Sequence, residues 1–188
     1  MSYAYQLYDK SDNLIVHNDL QVQGPWYEQG IRSELTFVNR YGKLFSVDIN
    51  PEKKIEKTAP DLINTVTGVI GDLKEQNTPF FRCGKKDGRL DPRFTVSFNV
   101  DDYIKYSKYG QFEVYFWVAW NAVKFVDPYL TIKVEPLEGI WKTDLDGLTS
   151  LVNIAHKHDY RQRVIDENGN SKDSYLLDLR LREFTQII

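Results

Sequence analysis

The sequence holds a single cysteine, Cys83, and a single methionine among its 188 residues. A lone thiol cannot form an intrachain disulfide, and it excludes the cysteine-rich kinds of structural zinc site. It fits a reducing compartment. Basic residues are not in surplus: 24 Lys and Arg stand against 27 Asp and Glu, a net charge of −3. General nucleic-acid binding needs a clear basic excess, so that class is set aside. No apolar run approaches the roughly 18 residues of a membrane span, and the best candidate, residues 114–126, is interrupted by Asn121 and Lys124. The first ten residues have neither a basic start nor an apolar stretch, so no signal peptide is expected. The protein is therefore expected in the cytoplasm or built into a particle. The Gly-x-Ser-x-Gly elbow and the Gly-Lys-Ser/Thr ending of a phosphate loop are both missing. No acidic pair is marked by its surroundings as an acid and base. Nothing in the sequence asks for a cofactor, and a non-enzyme is expected.

What the chain has in abundance is aromatic side chains, at 14%, with 12 Tyr, 10 Phe and 4 Trp. Three segments alternate at every second residue: 94–100, 112–120 and 129–135. That period places successive side chains on opposite faces of a strand. In the second segment Phe112, Val114, Phe116, Val118 and Trp120 share one face, and Tyr115 and Trp117 share the other. If both faces are covered, all of these are core. If the second face is open, Tyr115 and Trp117 form an aromatic platform that Tyr103, Tyr106 and Tyr109 could extend. Such a platform suits a sugar face, a lipid headgroup or another protein subunit.

Elsewhere the first sixty residues read as strands and turns. Leu14 to Val16 is a short apolar run, Gly24-Pro25 is a turn signal, and 34–38 alternates loosely. Phe45, Val47 and Ile49 share a face before Pro51. Leu62, Ile63, Val66, Val69, Ile70 and Leu73 recur at helical spacing, which predicts a helix over 60–76 with Pro60 in its first turn and Thr58 as its cap. Residues 80–83 read as a short or edge strand. Tyrosines three apart predict a helical turn over 101–109, ended by Gly110 as a left-handed cap. A second amphipathic helix is predicted over 143–155, capped by Thr143 or Asp144. The chain closes with a predicted hairpin, arms 161–165 and 175–181, around the Asn168-Gly169 turn. The fold class is therefore α+β: one domain over 1–188, a mainly antiparallel sheet, flat or folded into a sandwich, with two amphipathic helices packed on it.

Four groups of residues could carry chemistry. His156, His158 and Asp159 are metal-ligand types, with His17 as a distant third ligand. On a helix the two histidines would lie nearly opposite, whereas on a strand they would share a face. Asp166 to Asn170 resembles the start of a calcium loop, but position 6 is Ser171 and position 12 is Leu177, so the bidentate glutamate is missing and a hairpin turn explains it better. Arg82, Lys85, Lys86, Arg89 and Arg93 cluster around two glycines, a loop suited to a phosphate or an acidic surface, partly neutralised by Asp87 and Asp91. Cys83 has no base placed beside it by any motif, and a buried structural cysteine is the simpler account.

Residues Tyr41–Phe45 and Phe81–Gly88 resemble stretches of the aegerolysins, small acidic β-sandwich proteins that bind membrane lipids. That resemblance implies strands between the two stretches, where helical spacing is read here. It also implies a Trp-Asp motif after the second, which Phe116–Trp120 does not match. It is not adopted. The expected function is that of a non-catalytic structural or interaction protein working through contacts with itself or other subunits, as in a virion or tail assembly. The exposed groups expected to serve it are the aromatic face, the basic loop and the apolar tail at Phe184 and Ile187. The alternative is a sugar- or lipid-binding module built on the aromatic platform.

Overall fold

The computed structural model describes residues 5–15, 23–56, 58–159 and 172–188, with residues 23–29 described by backbone alone. In chain order the elements are β1 (Gln6–Tyr8), β2 (Leu14–Ile15), α1 (Gln23–Phe45), β3 (Val47–Ile49), β4 (Leu62–Asn64), β5 (Ile70–Gln76), β6 (Thr95–Asn99) and α2 (Val100–Tyr106). They continue with β7 (Glu113–Ala119), β8 (Lys124–Asp127), β9 (Leu130–Lys133), β10 (Glu138–Asp144), α3 (Leu145–Ile154), β11 (His156–His158), β12 (Ser174–Asp178) and β13 (Thr185–Gln186). The class is α+β and the pairing mostly antiparallel, as the alternation predicts.

A six-stranded sheet of order β13-β10-β7-β5-β4-β3 forms the middle layer. β7 lies at its heart, antiparallel to β10 and parallel to β5. The two faces of β7 divide as the sequence predicts. Val114, Phe116 and Val118 enter one core with Phe112 and Trp120, while Tyr115 and Trp117 enter a second core on the opposite face. The first core lies against the four-stranded sheet β2-β1-β8-β9, the three-stranded sheet β11-β12-β6, α2 and α3. The second lies against α1, whose Phe37 is wholly buried. Both faces of the central sheet are therefore covered, by sheets and short helices on one side and one long helix on the other.

Several predicted elements are corrected. Residues 60–76 form the hairpin β4–β5, not a helix. The Asn64 carboxamide oxygen accepts the amides of Val66 and Thr67, each at 3.0 Å, and Gly68 takes a φ of +74° to close the turn. At Gly71 a Cβ would stand 2.7 Å from the Glu113 carbonyl, so the close approach of β5 to β7 requires glycine there. Residues 34–38 and 44–45 lie in α1, a 23-residue helix through the Gly24-Pro25 pair. It ends at Ser46, which has φ +55°, and of the strand expected over 44–49 only Val47–Ile49 is strand. Residues 80–83 make a turn leading into a single 3-10 turn, Cys83–Lys85. α2 occupies the predicted helical turn, but Gly110 does not adopt the left-handed conformation.

α3 and its cap are as predicted: the Asp144 carboxylate accepts from the Gly147 amide at 2.8 Å. β8 and β10 have no counterpart in the sequence reading. The expected arm 161–165 and turn 166–170 lie outside the described residues. Of the second arm, Ser174–Asp178 is strand, and it pairs with β11 and β6; the chain turns after Asp178 rather than continuing to 181. Among the described residues no helix is long and apolar enough to cross a membrane.

Candidate functional site

Three stretches far apart in sequence meet at one place: the start of the chain at Tyr5 and β1, the turn at residues 79–82 and β8. They enclose a cleft of about 410 Å³ between the four-stranded and three-stranded sheets. Its walls are mostly apolar, formed by Tyr5, Leu7, Pro79, Phe80, Phe81 and Phe125. Tyr5 stacks on Phe125 at 5.3 Å, and Phe81 meets Phe125 at 5.6 Å. The volume falls within the roughly 300–1,000 Å³ typical of small-molecule sites.

Polar side chains also line the cleft, among them Gln76, Thr78 and Ser97, and the titratable ones are Arg82, Lys86, Asp127 and His158. Arg82 lays its guanidinium over the Phe125 ring at 5.0 Å and ion-pairs with the buried Asp127. Asp127 in turn accepts the amides of Tyr129 and Leu130 at 2.8 and 2.9 Å, so it fixes the β8–β9 turn. His158 meets Phe80 edge-on at 5.0 Å. Burial, then Lys86 and His156, hold its imidazole below the usual histidine range, so it is neutral at pH 7. Lys86 is exposed at the margin and has no ion pair among the described residues.

A second polar cluster lies further along β5. Asp72, Lys74 and Gln76 share the face of β5 that looks toward α2 and β6. The Lys74 ammonium lies 2.6 Å from both Asp72 and Asp102. The Tyr106 hydroxyl donates to Asp72 at 2.7 Å. Burial pushes the Asp72 carboxyl up to about 7, with Lys74 pulling it back and Asp61 and Asp102 lifting it further. Burial pulls the Lys74 ammonium down, but Asp72 and Asp102 outweigh it and hold the ammonium above its ordinary range. Burial, and next the Asp72 charge, raise the Tyr106 phenol. A buried pair with shifted titration is the usual mark of a reactive site or of an internal clamp. Here every strong donor and acceptor of the set faces another member, and the bonds tie α2 to β5. The arrangement is a clamp.

The remaining residues singled out from the sequence scatter. Tyr115 is 2% and Trp117 8% exposed, so the open platform is corrected: α1 covers that face, with Phe37 5.8 Å from Tyr115 and 5.9 Å from Trp117. Tyr106 and Tyr109 stack on Phe112 at 4.2 and 5.5 Å, and Tyr103 meets Tyr175 edge-on at 6.0 Å; these tyrosines pack into or against the first core and do not extend any platform. The apolar tail is corrected as well. Phe184 is buried against Phe116 at 5.4 Å, and the Ile187 amide donates to the Ile140 carbonyl at 2.8 Å, so the tail docks on its own sheet.

The basic loop is not one patch. Arg89 forms a bidentate pair with Asp87, Arg93 lies over the Phe94 ring at 5.1 Å, Lys85 is exposed, and only Arg82 and Lys86 reach the cleft. Cys83 is buried and its thiol is pushed up by burial. His156 and His158 do share a face, on β11, but among the described residues no three His, Cys, Asp or Glu side chains are placed to hold a metal. His17 lies outside the described residues. Of the cleft residues, sequence reasoning found Arg82, Lys86 and His158 for other reasons. It missed Tyr5, Phe125 and Asp127. The short run Phe125-Val126 between Lys124 and Asp127 was a strand signal passed over within a longer apolar window.

No family model matches the chain, and neither a curated protein nor a solved structure matches it. The aegerolysin-like stretches fall on unlike structure: Tyr41–Phe45 is the last turn of α1, and Phe81–Gly88 is turn and 3-10 turn. The strands β4 and β5 do lie between them.

Proposed function

We propose that the protein is a non-catalytic binding protein whose working part is the aromatic cleft. The observation that carries this reading is the cleft itself: a space walled by four aromatic rings, with the cations Arg82 and Lys86 in its lining. The aromatic load that suggests a platform in the sequence goes largely into the two cores, and Phe80 is a ring of the cleft left half-buried. The clamp of Asp72, Lys74, Asp102 and Tyr106 serves to hold α2 in place, and no reaction is assigned to it. Titration with a neutral apolar dye such as Nile red tests the reading. The native protein should bind with saturable fluorescence, and Phe80→Ala should weaken it. A native protein that leaves the dye unbound overturns the proposal.

A second reading, contact with other protein subunits, is favoured by the β3 side of the central sheet. No described strand pairs with the outer edge of β3. Leu44, Ile55 and Val66 stand exposed around it at 67%, 93% and 79%. Free edges and exposed apolar side chains are the usual means of strand addition. Light scattering over a concentration series tests it. A defined oligomer that dissociates on Val66→Lys supports assembly through this edge, and a monomer at every concentration removes it.

A further inference from the structure

We propose that the ligand of the cleft is an amphiphile carrying one carboxylate: an apolar chain or ring held by the aromatic walls, with its anionic head at Lys86 and the exposed part of Arg82. The inference rests on the cleft reading above and adds the charge of the ligand.

The argument is one of charge balance at an otherwise apolar space. Two cationic side chains, Arg82 and Lys86, one acid, Asp127, and the neutral His158 line the cleft. Asp127 is matched by Arg82, and its remaining acceptor capacity goes to the Tyr129 and Leu130 amides. That carboxylate therefore has nothing left for Lys86, whose ammonium stands without a counter-charge among the described residues. Arg82 offers more donors than one carboxylate can occupy: a guanidinium has five N–H groups in a planar fork. Its side chain is 44% exposed while that of Asp127 is wholly buried, so the pair leaves part of an Arg82 side chain that lines the cleft open to solvent. A carboxylate there would accept from Arg82 and lie near Lys86, the charge-assisted geometry that a planar anion prefers.

The rest of the site favours a single small head over a larger one. The Gln76 amide, which also lines the cleft, spends one donor and one acceptor on the Ser97 backbone at 2.6 and 3.1 Å, which leaves it less to offer a sugar or a peptide. A polyhydroxyl ligand would find few polar partners along Pro79, Phe80, Phe81 and Phe125 and would leave its hydroxyls unpaired against the rings. An apolar body meets no such penalty.

The test compares decanoate with 1-decanol, which differ in the head alone, by calorimetric titration of the native protein, Lys86→Gln and Phe80→Ala. Lys86 is exposed, so its variant keeps the fold; a thermal melt verifies this for Phe80→Ala. Decanoate is expected to bind more tightly than decanol. Lys86→Gln should weaken decanoate about fivefold, the worth of a partly exposed charge pair, and leave decanol unchanged. Phe80→Ala should weaken both. Equal binding of the two by the native protein, unaffected by Lys86→Gln, overturns the anionic head while leaving the cleft reading standing. Binding of neither overturns both. Binding that ignores Phe80→Ala and Lys86→Gln together places the ligand elsewhere and overturns the inference.

Discussion

The side-chain amide of Gln76 holds both backbone groups of Ser97. Its Nε2 donates to the Ser97 carbonyl at 2.6 Å and its Oε1 accepts the Ser97 amide at 3.1 Å. β6 is the outer strand of its sheet, so a side chain supplies what a further strand would otherwise supply, and it joins that sheet to β5. Gln76→Ala should leave both groups of Ser97 unsatisfied in a half-buried place and cost about 1–3 kcal/mol. A urea midpoint unchanged from the native protein would show that the bridge contributes nothing.

Asp72 should impose a pH dependence on stability. Its carboxyl titrates near 7 in the fold against 3.8 in the open chain, because burial disfavours the charge. Between those values the folded state holds a proton that the unfolded state has lost. Stability from this group is therefore complete below about pH 4, falls as pH rises toward 7, and is constant above. Asp72→Asn keeps an acceptor for the Tyr106 hydroxyl and removes the titration. Melting temperatures at pH 4.5 and 7.5 should differ less in the variant than in the native protein, and an identical difference would refute the assignment.

Trp117 should behave as core. It sits between β7 and α1 with Phe37 at 5.9 Å and Tyr41 at 6.0 Å. Trp117→Ala should destabilise by about 3–5 kcal/mol, read as a shift of the guanidinium midpoint. A variant with native stability would mean that α1 does not cover this face in solution.

Ser46 carries a left-handed backbone, φ +55°, where α1 reverses into β3. Its carbonyl accepts the Thr65 amide at 2.7 Å, a bond that a side-chain change does not touch. Ser46→Gly relieves the Cβ clash of that conformation and should stabilise by up to about 1 kcal/mol, while Ser46→Val should destabilise. Thermal melts of the pair that move in the same direction would argue against this backbone geometry.

What could be read in the sequence was whatever a short window decides. The two faces of β7 follow from strict alternation, and the α3 cap follows from an aspartate ahead of a helical run. Leu62, Ile63, Val66, Val69, Ile70 and Leu73 fit a helix by spacing alone. The decision lay with Asn64 and Gly68, a turn pair embedded in the run, and with Gly71 against Glu113, which only the tertiary neighbour explains. α1 was hidden by Gly24-Pro25 and Gly42, although Phe37, Tyr41 and Phe45 stand four apart as a buried helix face requires. The cleft was not readable because Tyr5, Phe80 and Phe125 share no window, and nothing local to any of them shows that they meet.

β5 and β7 form the one parallel pair among the described strands. Residues 77–112 between them carry the Pro79–Phe81 wall of the cleft, the β6 edge that Gln76 grips, and the α2 residues of the clamp. A parallel pair cannot form until that entire crossover has been folded back, and its loop-closure entropy comes before any contact repays it. A chain that has made only its hairpins has not yet met that entropy cost, so the seating of β7 beside β5 is expected among the later steps of folding, after the local strand pairs.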